Sequence, residues 1–181
     1  AGIAREDLGC LDRAVGSEAG AGCVVARPGL QVVQTELNEV CDVETGVQTP
    51  LAPGPKDKGP FSVTAAQVAP DARSIYYLSD HGGEHIELRR LDIYSHESTV
   101  LAAQSRWDID NMELSRDGRH LAYTINEGGF SRLVLHDTVQ QADVLLPALP
   151  QGAVIEELAF DRDSRRLALQ ISTAQSPADV Y

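Results

Sequence analysis

Short apolar runs separated by turn residues dominate the chain from about residue 63 onwards. Leu121-Ala122-Tyr123-Thr124-Ile125 is the clearest of them. It is apolar on both alternating faces, which suits a strand covered on both sides by packed sheets. Before it, Asp117-Gly118-Arg119 supplies turn chemistry. The aspartate can accept hydrogen bonds from nearby backbone amides, and the glycine relaxes the dihedral demand. After it, Asn126-Glu127-Gly128-Gly129 marks a second turn. Residues 131–137 then read as a strand and 144–146 as a shorter one. The preceding stretch follows the same plan, with strands expected near 65–69, 74–79, 86–92 and 99–102.

The plan is a repeat. Pro70-Asp71-Ala72-Arg73-Ser74-Ile75-Tyr76-Tyr77 returns as Arg116-Asp117-Gly118-Arg119-His120-Leu121-Ala122-Tyr123. It returns again as Arg162-Asp163-Ser164-Arg165-Arg166-Leu167-Ala168-Leu169. Asp71, Asp117 and Asp163 are 46 residues apart at both steps, and Val68, Leu114 and Phe160 keep the same offset. Four strands in a period of about 46 residues is the signature of a propeller blade. The expected fold class is therefore all-β: a partial β-propeller of four-stranded antiparallel blades with a 46-residue period. Blades are expected over 63–107 and 108–152, and an incomplete one over 153–181. Leu37 to Gly46 reads as a third strand with its hairpin turn, inside the end of a blade at 31–52. The Pro, Gly and Lys content of 53–62 suits an inter-blade loop, and residues 1–30 are left unassigned. Propellers close with four to eight blades, so the chain is expected to continue beyond Tyr181.

Charge narrows the partners. Fifteen basic residues face 27 acidic ones, for a formal charge of -12. Such an excess repels phosphate backbones and anionic lipids, so neither nucleic acid nor membrane is an expected partner. No apolar run approaches the 18 to 20 residues or so that span a bilayer. The cysteines, Cys10, Cys23 and Cys41, are odd in number, and their spacings match no zinc pattern. Free thiols in a reducing, cytoplasmic setting are the simpler reading.

The repeat resembles the TolB-type, WD40-like propeller repeat, with its Ser-Pro-Asp-Gly-Arg turn and Leu-Ala-Tyr strand. Here it stands as Leu114-Ser115-Arg116-Asp117-Gly118-Arg119-His120-Leu121-Ala122-Tyr123, with arginine at position 116 where the pattern has proline. A narrower resemblance covers roughly residues 36–181. Tyr76-Tyr77-Leu78-Ser79-Asp80, Leu91-Asp92, Arg106-Trp107-Asp108-Ile109-Asp110, Asn126 to Leu133 and Pro177-Ala178-Asp179-Val180-Tyr181 look like the propeller of prolyl oligopeptidase family (S9) serine peptidases. In that family the propeller restricts entry to an α/β-hydrolase domain, which follows it and carries a Ser, Asp and His triad. The resemblance implies two partners: a C-terminal hydrolase domain of a longer chain, and peptide substrates. It transfers no functional residue, because the matched motifs are turns and strands. A TolB-like or WD40-like protein-binding propeller without activity is the alternative. Self-association through exposed blade edges is a third.

Four motifs invite chemistry, and each has a plainer reading. His81-Gly82-Gly83-Glu84-His85 spells the inverted zinc-protease pattern. That pattern needs a helix, and two central glycines argue for a turn instead. Gly129-Phe130-Ser131 begins a nucleophile elbow, but position 133 is leucine rather than glycine. Glu156-Glu157 resembles the acidic pairs that hold peptide amino termini in dipeptidyl peptidases, yet here it precedes a blade strand. Trp107, beside Asp108 and Asp110, is expected to pack at a blade junction rather than line a channel. No catalytic, cofactor-binding or metal-binding residue is therefore assigned.

Overall fold

The computed structural model describes residues 61–102, 106–176 and 179–181, together with the strand backbones at 23–26, 30–33, 39–42 and 48–50. Among them are fifteen strands and no helix. The first sheet is β1 (Cys23–Ala26), β2 (Leu30–Val33), β3 (Glu39–Asp42) and β4 (Gln48–Pro50). The second is β5 (Val63–Val68), β6 (Ser74–Ser79), β7 (Glu87–Asp92) and β8 (Ser98–Val100). The third is β9 (Ile109–Leu114), β10 (His120–Asn126), β11 (Ser131–Asp137) and β12 (Ala142–Asp143). The last is β13 (Val154–Phe160), β14 (Leu167–Ser172) and β15 (Asp179–Val180). Each sheet is an antiparallel meander in chain order. The first strands lie side by side, β1 against β5, β5 against β9 and β9 against β13. Sheets that converge on their first strands are propeller blades, and the fold is part of a β-propeller.

Two expectations need correction. The first sheet begins at Cys23, so the unassigned 1–30 and the bare blade end at 31–52 understate it. Two valine-rich runs flank Arg27-Pro28-Gly29, a turn signal that marks a hairpin. The hairpin turn after β3 and most of the 53–62 loop lie outside the described residues. The fourth strand of the third sheet is Ala142–Asp143, not 144–146. Val144 adds one hydrogen bond to the Leu135 carbonyl, and Pro147 then interrupts the donors.

The turns between first and second strands set the period physically. In each, the amide at 69, 115 or 161 donates to the carbonyl five residues on, and the amide at 72, 118 or 164 donates back three. That last position is left-handed in all three turns: Ala72 φ 53°, Gly118 φ 76°, Ser164 φ 58°. Carboxylates cap the freed amides. Asp71 accepts from Arg73 and Ser74, and Asp117 from Arg119. In the third turn the cap is Asp161, which accepts from Arg165 and Arg166, rather than the aligned Asp163. The turns also touch across blades. The Ser164 hydroxyl accepts from the Asp117 amide at 3.1 Å, and Pro70 lies over Gly118. Gln67 bonds both the Glu113 carboxylate and the Leu114 amide, one period away.

Between the second and third sheets, Tyr76, Leu78 and Leu88 pack on Ile109, Met112, Leu121, Tyr123 and Ile125. On the other face of the second sheet, Ala66, Val68, Ile75, Tyr77 and Leu91 form another core. Ala153, Ile155, Leu169 and Ile171 make a smaller one at the last sheet.

Candidate functional site

The strand ends that carry the tempting motifs are bound into the scaffold. The stretch His81 to His85 is a turn, with Gly82 at φ 85° and the Gly83 amide donating to the Asp80 carbonyl at 3.0 Å. The two imidazoles have separate neighbours. His81 meets the Phe61 ring edge-on at 4.9 Å, while His85 Nδ1 stands 3.4 Å from Asp108. The helix that would put both on one metal is absent, and no group of three His, Cys, Asp or Glu side chains among the described residues is placed to hold an ion.

Ser131 is a structural tie. Its hydroxyl accepts the Ile155 amide at 2.9 Å, and its own amide donates to the Ala153 carbonyl at 2.8 Å. One blade junction earlier, Ile86 plays the comparable part. Its carbonyl accepts from Ile109, and its amide donates to Asp108 Oδ1 at 2.8 Å. A serine hydroxyl thus replaces a backbone carbonyl at the same joint. A nucleophile needs a general base in reach, and the group bonded to this hydroxyl is a backbone amide.

The starts of β9 and β13 are tied together by a side chain. The Asn111 amide side chain donates to the Glu156 carbonyl at 3.0 Å across the two strands. The Glu156 carboxylate accepts from Gln170 and Ser172 of the adjacent β14. The register shifts between Ile155 and Glu157, so a bulge sits under this pair. Loss of water around Asp110 raises its pKa above the usual carboxylate range. A hydrogen bond from Asn126 opposes that rise, and the charge of Asp108 adds to it. Trp107 is 43% exposed and lies over Gly128 of the next hairpin. Cys23 and Cys41 sit on β1 and β3, with β2 between them. Two strand spacings amount to about 9.6 Å, beyond the roughly 7 Å between Cα atoms that a disulfide bridges.

The charged pairs with the most regular placement join the turns of one blade. Arg73 donates to Asp92 at 2.6 Å, and Arg119 to Asp137 at 3.1 Å. Each aspartate also accepts two backbone amides of its own hairpin: Tyr94 and Ser95, or Val139 and Gln140. The Ser95 amide and the Arg73 guanidinium hold the Asp92 carboxyl down at about 2. Asp137 is lowered by the Gln140 amide first and Arg119 next. The sequence showed Asp92 and Asp137 as matching strand ends, but their arginine partners, some 18 residues earlier, emerge only with the register.

These features define a β-propeller scaffold: repeated turns, inter-blade ties and cores. Comparison with solved structures agrees. The chain is similar to TolB from Acinetobacter baumannii, at 17% identity and TM-score 0.58 over 88% of this chain. It is similar to the tricorn protease, at 19% identity and TM-score 0.54 over 82%. It is similar to a prolyl endopeptidase, at 16% identity and TM-score 0.61 over 89%. The chain spans 36%, 14% and 28% of those structures' lengths, respectively. No protein-family model and no curated protein sequence matches it. At such identities the likeness establishes the propeller fold.

Proposed function

We propose that the chain is the propeller portion of a prolyl oligopeptidase-type serine peptidase, where it gates and positions peptide substrates. Catalysis would belong to an α/β-hydrolase domain elsewhere in the polypeptide. The carrying observation is the match to the prolyl endopeptidase, which takes in 89% of this chain but 28% of that one. The described sheets are propeller blades, which supports assigning the chain to the propeller portion. No Gly-x-Ser-x-Gly motif occurs in the sequence, and Ser131 is committed to a backbone amide. The TolB likeness supports a second reading, a protein-binding propeller without activity.

The coding sequence on both sides of these residues separates the two. Further blades, then a strand, a Gly-x-Ser-x-Gly elbow and a helix, are expected. Blades alone would sink the peptidase reading and leave the binding module. The isolated chain is expected to hydrolyse no peptide ester or amide. Turnover abolished by Ser131→Ala would overturn the assignment of chemistry to another domain.

A further inference from the structure

A cleft of about 390 Å³ opens between the outer strands of the second and third sheets. Leu88, Val100 and Leu101 line it from one blade, and Tyr123, His136 and Asp143 from the next. We propose that this cleft binds a small organic cation, an ammonium carried on a compact apolar body.

Its volume lies at the lower end of the range for small-ligand pockets, roughly 300 to 1,000 Å³. Leu88, Val100 and Leu101 supply the smaller, apolar part of a mostly polar lining. The polar groups converge from strands paired in register, with His136 opposite Asp143. His136 Nδ1 stands 2.8 Å from Asp143 Oδ1. When the neutral imidazole donates there, the pair carries one negative charge. Its free groups are then the second carboxylate oxygen and the Nε2 lone pair, both acceptors. Tyr123 also lines the cleft, with 8% of its surface exposed. Burial raises the pKa of that phenol, the charge of Asp143 adds to the rise, and the charge of Arg132 opposes it. No lysine or arginine lines the cleft. A site rich in acceptors, with one apolar side and carried on a chain of charge -12 selects a donor-bearing cation over an anion.

Titration of the ¹⁵N-labelled full chain with phenethylammonium tests this. Saturable shifts are expected at Leu88, Leu101, Tyr123, His136 and Asp143. Asp143→Asn should weaken binding about fivefold or more, and Tyr123→Phe about twofold to threefold, with the remaining spectrum unchanged. The neutral phenethyl alcohol and the anionic 3-phenylpropionate should bind at least about tenfold more weakly. Absence of saturable shifts by about 10 mM, a weak affinity even for a fragment, would overturn the proposal. So would equal binding of the three compounds, or an Asp143→Asn variant that binds as tightly as the parent.

Discussion

Strands β10 and β14 hold corresponding places one period apart and are nearly equal in apolar character. Leu121-Ala122-Tyr123-Thr124-Ile125 is buried at all five positions. Of Leu167-Ala168-Leu169-Gln170-Ile171, only Leu169 and Ile171 are buried. The odd-numbered face of β10 packs on the second sheet, through Leu121, Tyr123 and Ile125. Its even-numbered face, Ala122 and Thr124, is covered as well. In β14 the odd-numbered face meets Ala153 and Ile155, while Ala168 on the other face is exposed. Burial in a blade is thus set by its neighbours more than by its own residues. The unit of stability is the junction between sheets, as expected of stacked repeats.

The same substitution at the two equivalent alanines is the strongest way to break this comparison. Ala122→Asp places an unpaired charge where exposure is nil and should cost about 4 kcal/mol or more. Ala168→Asp should stay within about 1 kcal/mol. Urea denaturation of both variants reads the difference directly. Equal losses would mean that β14 is covered on both faces. A gentler version uses leucine truncation. Leu121→Ala should cost about 2 to 5 kcal/mol, and the half-buried Leu167→Ala about 1 kcal/mol.

The turns allow a second contrast. A Cβ on Gly118 would sit 2.7 Å from Pro70 Cδ, at a φ of 76°. Gly118→Ala should therefore cost about 1 to 3 kcal/mol, combining left-handed strain with a clash across the blade junction. Ala72 holds the same turn position at φ 53°, and Ala72→Gly should stay within about 1 kcal/mol of the parent. Melting temperatures of the two variants would show whether the inter-blade contact or the dihedral alone fixes the residue. A Gly118→Ala loss no greater than the gain from Ala72→Gly would remove the contact from the account.

Much of this was legible because the repeat is written in local chemistry. The turn at Asp117-Gly118-Arg119 and the apolar run that follows give strand, turn and period together. What escaped depends on pairing between distant residues. Asp163 aligns with Asp71 and Asp117, yet Asp161 caps its turn, because a carboxylate two residues earlier reaches the same amides. The β1–β2 hairpin was missed although Pro28-Gly29 stood between its strands, since the first blade does not keep the Asp-x-Arg turn. His136 and Asp143 meet only through the β11–β12 register, and no spacing rule in the sequence marks them. The turn reading of His81 to His85 was available from its glycines alone.

The smallest expected effect concerns acid. Asp92 is held at about 2 in the folded chain, against roughly 3.9 for an unperturbed aspartate. Asp137 is shifted the same way. A depressed carboxyl binds fewer protons folded than unfolded, so its contribution is complete above about pH 4 and lost as pH falls toward 2. The last sheet offers a contrast. Arg165 stands one period after Arg119 and makes no ion pair with a described residue. Its turn still carries a depressed carboxyl, Asp161, held down by the Arg165 and Arg166 amides, so between about pH 4 and 2 the turns of all three sheets should loosen. Hydrogen exchange at Ile93 and Thr138, whose amides bond the Arg73 and Arg119 carbonyls, would report it for the second and third sheets. Asp92→Asn should flatten the acid slope at Ile93 and leave that at Thr138 in place. Equal slopes in parent and variant would show that the Arg73–Asp92 pair and its backbone amides contribute nothing to the acid sensitivity of that junction.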